Sequence, residues 1–228
     1  MSLGLKKFLP NPNHTLKSYK SLRKLKSLDE FTIFAAQKND YISYFCRTKN
    51  KNVMTKTGEL TLDVLIEIPK GSRNKYEYDF ELKKIRFDRM LFSSMMYPAD
   101  YGFIPKTLAL DGDPLDVLVL GGEPTFPMCV MEVKPIGVFH MADEKGPDEK
   151  VICVPVSDPI WNNLNDLSDM NPHQIKEIEH FFQVYKDLEK KRVDVGGWGN
   201  AKEAYEIVDK CIQRYESSEH KTTGNFTI

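Results

Sequence analysis

Residues 111–120 read DGDPLDVLVL. Three aspartates fall within six residues, and an apolar run follows at once. Asp111 and Asp113 stand two apart, so an extended chain sends both carboxylates the same way, whereas Asp116 has the opposite parity. Gly112 and Pro114 supply the bend that brings Asp116 round. The stretch predicts a rigid acidic loop opening onto a buried strand, VLVL (117–120). Carboxylates this close repel one another unless a cation sits between them, and their oxygens are the hard ligands that magnesium prefers. A solvated turn is the bland alternative. An EF-hand loop is excluded, because its sixth and twelfth positions would hold Asp116 and Gly122 in place of glycine and glutamate.

Working outward, the flanking sequence has the pattern of short strands. In LTLDVLIEIP (60–69), Leu60, Leu62, Val64 and Ile66 alternate before the pattern shifts at Ile68, and Pro69, Gly71 and Ser72 break it. KYEYDFEL (75–82) puts Tyr76, Tyr78, Phe80 and Leu82 on one face and charged residues on the other. That predicts a half-buried antiparallel strand, with IRFDRML (85–91) as its partner. MCVMEVKPIGVFHM (128–141) and KVICVPV (150–156) add two more, with a break or bulge at Pro135.

The period then changes. Asn171 and Pro172 are the N-cap and first residue of a helix reaching Lys190, with Ile175, Ile178, Phe182 and Tyr185 on one face. Gly196-Gly197 ends the connection, and Asn200 caps a second helix. Its inner stripe is Ala201, Ala204, Tyr205, Val208, Cys211, Ile212 and Tyr215. Short strands followed by two helices predict an α+β fold, a twisted sheet or small barrel with helices packed on it.

The chain of 228 residues suits one sizeable domain or two small ones, and 41% hydrophobic with 29% charged residues is ordinary globular composition. A net charge of −1 gives no case for a nucleic-acid partner. Cys46, Cys129, Cys153 and Cys211 show no C-x-x-C spacing, which argues against structural zinc and a disulfide framework and for reduced thiols in a cytoplasmic setting. No apolar run approaches a membrane span. The first 28 residues carry Lys6, Lys7, Lys17, Lys20, Arg23, Lys24 and Lys26 with no acid before Asp29. An organelle leader, a flexible basic extension and an arm on a partner subunit are the readings open for it. The expected division is a basic extension over 1–58, a main domain over 59–217 and a tail over 218–228.

Companions to the aspartates occur along the chain: Glu67 at a strand end, Lys75, Glu77, Arg89, Tyr97, Tyr101, Asp143, Asp148, Lys150, Tyr185 and Lys186. Each alone is bland, since a single lysine on a strand is usually solvated and a tyrosine on an apolar stripe is usually core. Together they carry a resemblance. EIP, K-Y-E, FDR, YP-x-x-YGF, DGDPLD, D-E-x-G-x-D-x-K and YKDLE follow in the order found in the soluble family I inorganic pyrophosphatases, over roughly residues 60–216.

The resemblance implies a five-stranded OB-like β-barrel with the helices outside, a homo-oligomer, and hydrolysis of pyrophosphate with several Mg2+ ions per site. It implies that Asp111, Asp116 and Asp148 hold the tight magnesium, with Asp116 bridging to a second and Asp143 and Glu67 serving further ions. Asp113 matches the residue that takes a proton from the attacking water. Lys75, Arg89, Tyr101, Lys150, Tyr185 and Lys186 match phosphate-contacting positions, with Tyr101 and Lys186 nearest the chemistry. Glu77 and Tyr97 match other members of the site. Pro147 and His140 depart from the family pattern, beside the ligand positions and not at them.

The charge count agrees with a need for metal. Seven acids (Glu67, Glu77, Asp111, Asp113, Asp116, Asp143, Asp148) against four bases (Lys75, Arg89, Lys150, Lys186) leave the site net negative by three when all are ionised. Such a site repels a polyanion, and three divalent cations would reverse the sign. Direct attack by a metal-activated water follows, with no cysteine placed for a covalent step. A non-enzymatic nucleic-acid binder using Tyr76, Tyr78 and Phe80 is disfavoured by the same acids. A scaffold kept as an interaction subunit is disfavoured by the presence of every catalytic residue type.

Overall fold

The structure, a computed structural model, describes residues 53–54, 60–144 and 146–218, all within one compact unit spanning 49–228. Apart from Val53–Met54, the expected N-terminal extension lies outside the described residues, and so does the tail beyond Ser218.

Strand β1 (Val53–Met54) pairs with the start of β2 (Leu60–Ile68). A separate two-stranded ribbon follows, β3 (Asn74–Asp79) with β4 (Lys84–Met90), the antiparallel pair expected from the alternation. Then come β5 (Asp100–Phe103), β6 (Asp116–Val119), β7 (Val130–Asp143), β8 (Gly146–Pro147) and β9 (Lys150–Pro155). The pairings run β2–β5–β6–β9–β7, and β7 pairs back onto β2, so five strands close into a ring. Helix α1 (Pro172–Val184), β10 (Asp194–Asn200) and helix α2 (Ala201–Ser217) complete the order, with β10 alongside β7.

Residue parity explains how the ring packs. Val117, Val119, Val151 and Cys153 join one apolar cluster with Ala204, Val208, Cys211 and Ile212 of α2. Their neighbours Leu118, Leu120, Ile152 and Val154 join another with Ile178, Phe181, Phe182 and Tyr185. Both faces of these strands are covered, so they are apolar throughout. In β2, a register shift between Ile66 and Ile68 moves Ile68 from the first cluster to the second, at the position where the sequence pattern shifts. The expected irregularity at Pro135 is a register shift between Pro135 and Gly137 against β9.

Three sequence expectations need correction. The strand expected to reach Leu82 stops at Asp79, whose carboxylate accepts the N–H groups of Glu81 and Leu82 at 3.0 and 2.8 Å; that turn leaves Leu82 exposed. The helix expected to reach Lys190 ends at Val184. Tyr185 is its C-cap, Asp187–Glu189 forms a 3-10 turn, and Lys190 adopts a left-handed φ of 56°. Gly196-Gly197 does not end a connection but lies inside β10, where a register shift beside Gly197 (φ 97°) lets the glycine pair ride against β7. The caps Asn171 and Asn200 accept from the N–H groups of His173 and Glu203 as expected. Tyr205 is only half-buried, off the centre of the α2 stripe. No helix among the described residues is long and apolar enough to cross a membrane.

Candidate active site

The acidic loop is fixed by hydrogen bonds that its own side chains and backbone make to its backbone groups. The Thr107 hydroxyl donates to the Ile104 carbonyl at 2.6 Å and accepts the Leu115 N–H at 2.8 Å. The Ala109 N–H reaches the Asp113 carbonyl at 2.8 Å, and the Asp113 N–H reaches Asp111 Oδ1 at 3.1 Å. Gly112 makes the turn at φ 92°, a conformation that favours glycine. The loop delivers Asp116 to the start of β6, where parallel pairing sets it opposite Lys150 at the start of β9. Asp143 ends β7, opposite Gly146 of β8, and Asp148 follows two residues on.

Strand ends, ribbon and the end of α1 thus converge on one cleft of about 560 Å³. Its lining includes every site residue expected from the sequence: Glu67, Lys75, Glu77, Arg89, Tyr97, Tyr101, Asp111, Asp113, Asp116, Asp143, Asp148, Lys150, Tyr185 and Lys186. His140 and Pro147 do not line it; His140 Nε2 lies 3.1 Å from Glu203 Oε1.

Each of the four expected bases lies beside an acid. The buried Lys150 ammonium donates to Asp116 Oδ2 at 2.5 Å and to Asp148 Oδ1. The Tyr101 hydroxyl donates to the same Asp116 oxygen at 2.5 Å. Lys186 donates to Asp143 at 2.8 Å. Lys75 pairs with Glu77 and, at 3.3 Å, with Asp88. Arg89 pairs with Asp88 at 2.5 Å and with Glu189 at 2.9 Å.

Burial and crowding shift the acids. Burial, with the Asp116 and Glu77 carboxylates adding to it, pushes Glu67 up to about 8 against the opposing Tyr78 N–H bond of 2.6 Å. Burial raises Asp111 as well, helped by the charges of Asp113 and Asp116, and raises Asp148, helped by Asp116 and Asp111. Burial works to lower Lys150, but Asp116 and Asp148 outweigh it and keep the ammonium charged. Burial and the Asp116 carboxylate push the Tyr101 phenol well above its ordinary value, so it is a hydrogen-bond donor near neutral pH.

Among the described residues no three acid, histidine or cysteine side chains are already gathered as a metal cage. The Lys150 ammonium lies between Asp116 and Asp148 instead. The donor set nevertheless suits a hard divalent cation: carboxylates alone, several of them held unfavourably as anions, around one cleft.

Sequence reasoning missed Asp88, Glu144 and Lys191, which also line the cleft, the last two 2.9 Å apart. It also missed Glu189 behind Arg89. Asp88, Glu144 and Glu189 sit inside FDR, D-E-x-G-x-D-x-K and YKDLE and had a motif to point at them; Lys191 lies outside every motif and had no such signal.

A five-stranded ring with two C-terminal helices thus carries interleaved acids and bases around one cleft, the arrangement of a charged functional site. The inorganic pyrophosphatase family model matches residues 64–216. An inorganic pyrophosphatase of Methanosarcina mazei is 57% identical over 162 residues, 71% of this chain and 95% of that one. That of Halalkalibacterium halodurans is 50% identical over 155 residues, 68% and 95% of the two chains. The crystal structure of inorganic pyrophosphatase from Thermus thermophilus gives a TM-score of 0.67 at 48% identity, covering 69% of this chain and 92% of that one. The chain belongs to the soluble family I inorganic pyrophosphatases.

Proposed function

We propose that this chain hydrolyses inorganic pyrophosphate to two phosphates by direct attack of water, with no covalent enzyme intermediate. Membership of the family carries the overall reaction. The observation that supports the mechanism is the cleft itself, where Asp111, Asp113, Asp116 and Asp148 face Lys75, Arg89, Lys150 and Lys186.

Asp111, Asp116 and Asp148 would hold a tightly bound magnesium, Asp116 shared with a second, and Asp143 and Glu67 would serve further ions. Bound there, divalent cations supply positive charge and Lewis acidity to the substrate oxygens and to the attacking water. Asp113, on the exposed side of the loop, accepts the proton of that water. Lys75, Lys150 and Lys186 exchange their present carboxylate partners for phosphate oxygens, and Arg89 exchanges Asp88 for one at Nη1. Tyr101 and Tyr185 donate phenolic hydrogens to the substrate or its neighbours, and Tyr97 packs against Tyr101 at 5.4 Å to fix that ring. Glu77 holds Lys75 from its open side.

The same reading covers the rest of the molecule. The ring is of the OB-like barrel type with both helices outside it, 59–217 is the catalytic domain, and 1–58 and 218–228 are appendages. The enzyme works in the cytoplasm as a homo-oligomer. Phe87, Met90, Phe92 and Met96, all large, exposed and within one short stretch, support an interface between copies. A monomer mass by light scattering at micromolar concentration would contradict the oligomer.

Asp113→Asn tests the mechanism. Loss of a positioned general base lowers turnover by about 10²–10⁴-fold, while magnesium affinity stays near that of the parent. Parental turnover across pH 6 to 9 would show that another group accepts the proton.

A further inference from the structure

We propose that Glu189, a side chain outside the cleft, is the positioning residue that aims Arg89 at the substrate. The inference rests on the reading of Arg89 as a phosphate-binding group. Glu189 lies in the 3-10 turn Asp187–Glu189, just beyond Tyr185 and Lys186. Its side chain is 6% exposed, and its carboxylate engages the guanidinium twice, accepting from Nε at 3.0 Å and facing Nη2 at 2.9 Å.

The third nitrogen, Nη1, turns to Asp88 at 2.5 Å, and the same Asp88 oxygen lies 3.3 Å from Lys75. The two carboxylates therefore hold different edges of one fork. Asp88 lines the cleft and is about a third exposed, so a phosphate oxygen can take its place. Glu189 does not line the cleft and is nearly sealed, so its grip persists when substrate arrives.

The ribbon that carries Arg89 makes this grip necessary. β3 and β4 pair with each other and not with the ring. β4 is largely exposed, so little packing along the strand fixes the long arginine side chain. The Glu189 bond spans 100 residues of sequence and ties that side chain to the segment bearing Tyr185 and Lys186. A guanidinium held by its Nε–Nη2 edge has one orientation, which leaves Nη1 toward the cleft; a lysine at this position lacks the second edge.

Glu189→Gln, isosteric and uncharged, is the first test, with steady-state kinetics on pyrophosphate and binding of non-hydrolysable imidodiphosphate as readouts. The expected result is KM and imidodiphosphate Kd both raised about tenfold, with kcat changed by less than about threefold. Glu189→Asp keeps the charge but is one methylene short, so it falls between parent and Gln variant and serves if the latter is unstable. In an Arg89→Lys background, Glu189→Gln should add less than about a twofold further loss, because no fork remains to aim.

Parental KM in the folded Gln or Asp variant, even with a lowered thermal midpoint, overturns the inference, since a merely structural bond would show that pattern. So does a full tenfold loss in the Arg89→Lys background. If the parent itself fails to hydrolyse pyrophosphate, the proposed function falls first. If the parent turns over normally and the Glu189 variants match it, only the role of Glu189 falls.

Discussion

Glu67 shows what the cleft asks of a single side chain. Its carboxyl is almost sealed, it accepts a hydrogen bond from the Tyr78 N–H, and it still titrates near 8 because burial and the Asp116 charge favour its neutral form. In protein stripped of divalent cations, the folded state keeps a proton that the unfolded chain releases above its ordinary value of 4.5. The stability this contributes is fully present below 4.5 and is lost as pH rises through about 8. Glu67→Gln should therefore flatten the fall in thermal midpoint of the chelated protein between about pH 5 and 8. An unchanged slope would mean that Glu67 is already ionised there. Glu67 was legible in the sequence only as one acid in EIP; its burial depends on where β3 lays the Tyr78 N–H, which the letters around it do not state. Glu189 was less legible still, since its partner lies 100 residues away.

Strand β5 is four residues long, was not expected from periodicity, and carries two links of the ring. Its glycine is a packing requirement. A Cβ on Gly102 would stand 1.9 Å from the Leu65 carbonyl oxygen and 2.8 Å from the Ile66 Cα, both backbone atoms that cannot turn aside. Gly102→Ala should force β2 and β5 apart and cost about 3 kcal/mol or more, at the upper end for overpacking. Urea denaturation followed by Trp fluorescence measures it, and a midpoint equal to the parent would refute the close approach. The same comparison explains which elements sequence could foresee. β2, β3 with β4, β6, β7, β9 and both helices announce themselves through alternation, apolar runs or caps. β5 is too short to show a period, and β10 carries three glycines in seven residues, so its strand state comes from pairing with β7 and not from propensity.

The molecule as a whole gathers acids from the acidic loop, from β2 and from the β7–β9 connection, and bases from the ribbon, β9 and the end of α1, onto one cleft. Which residues meet there was readable from the ordered motifs. How they meet was not: the ammonium of Lys150 between Asp116 and Asp148, and the double grip on Arg89, follow from strand register and helix termination. With acids outnumbering bases, the cleft repels a polyanion until divalent cations enter, and this charge balance is the core of the account. Its most direct test is phosphate release from pyrophosphate and from ATP, each with magnesium and with excess chelator. Release from pyrophosphate should be rapid only with magnesium present, and release from ATP should be slight under the same conditions. Full-rate release from pyrophosphate in the presence of chelator would contradict it.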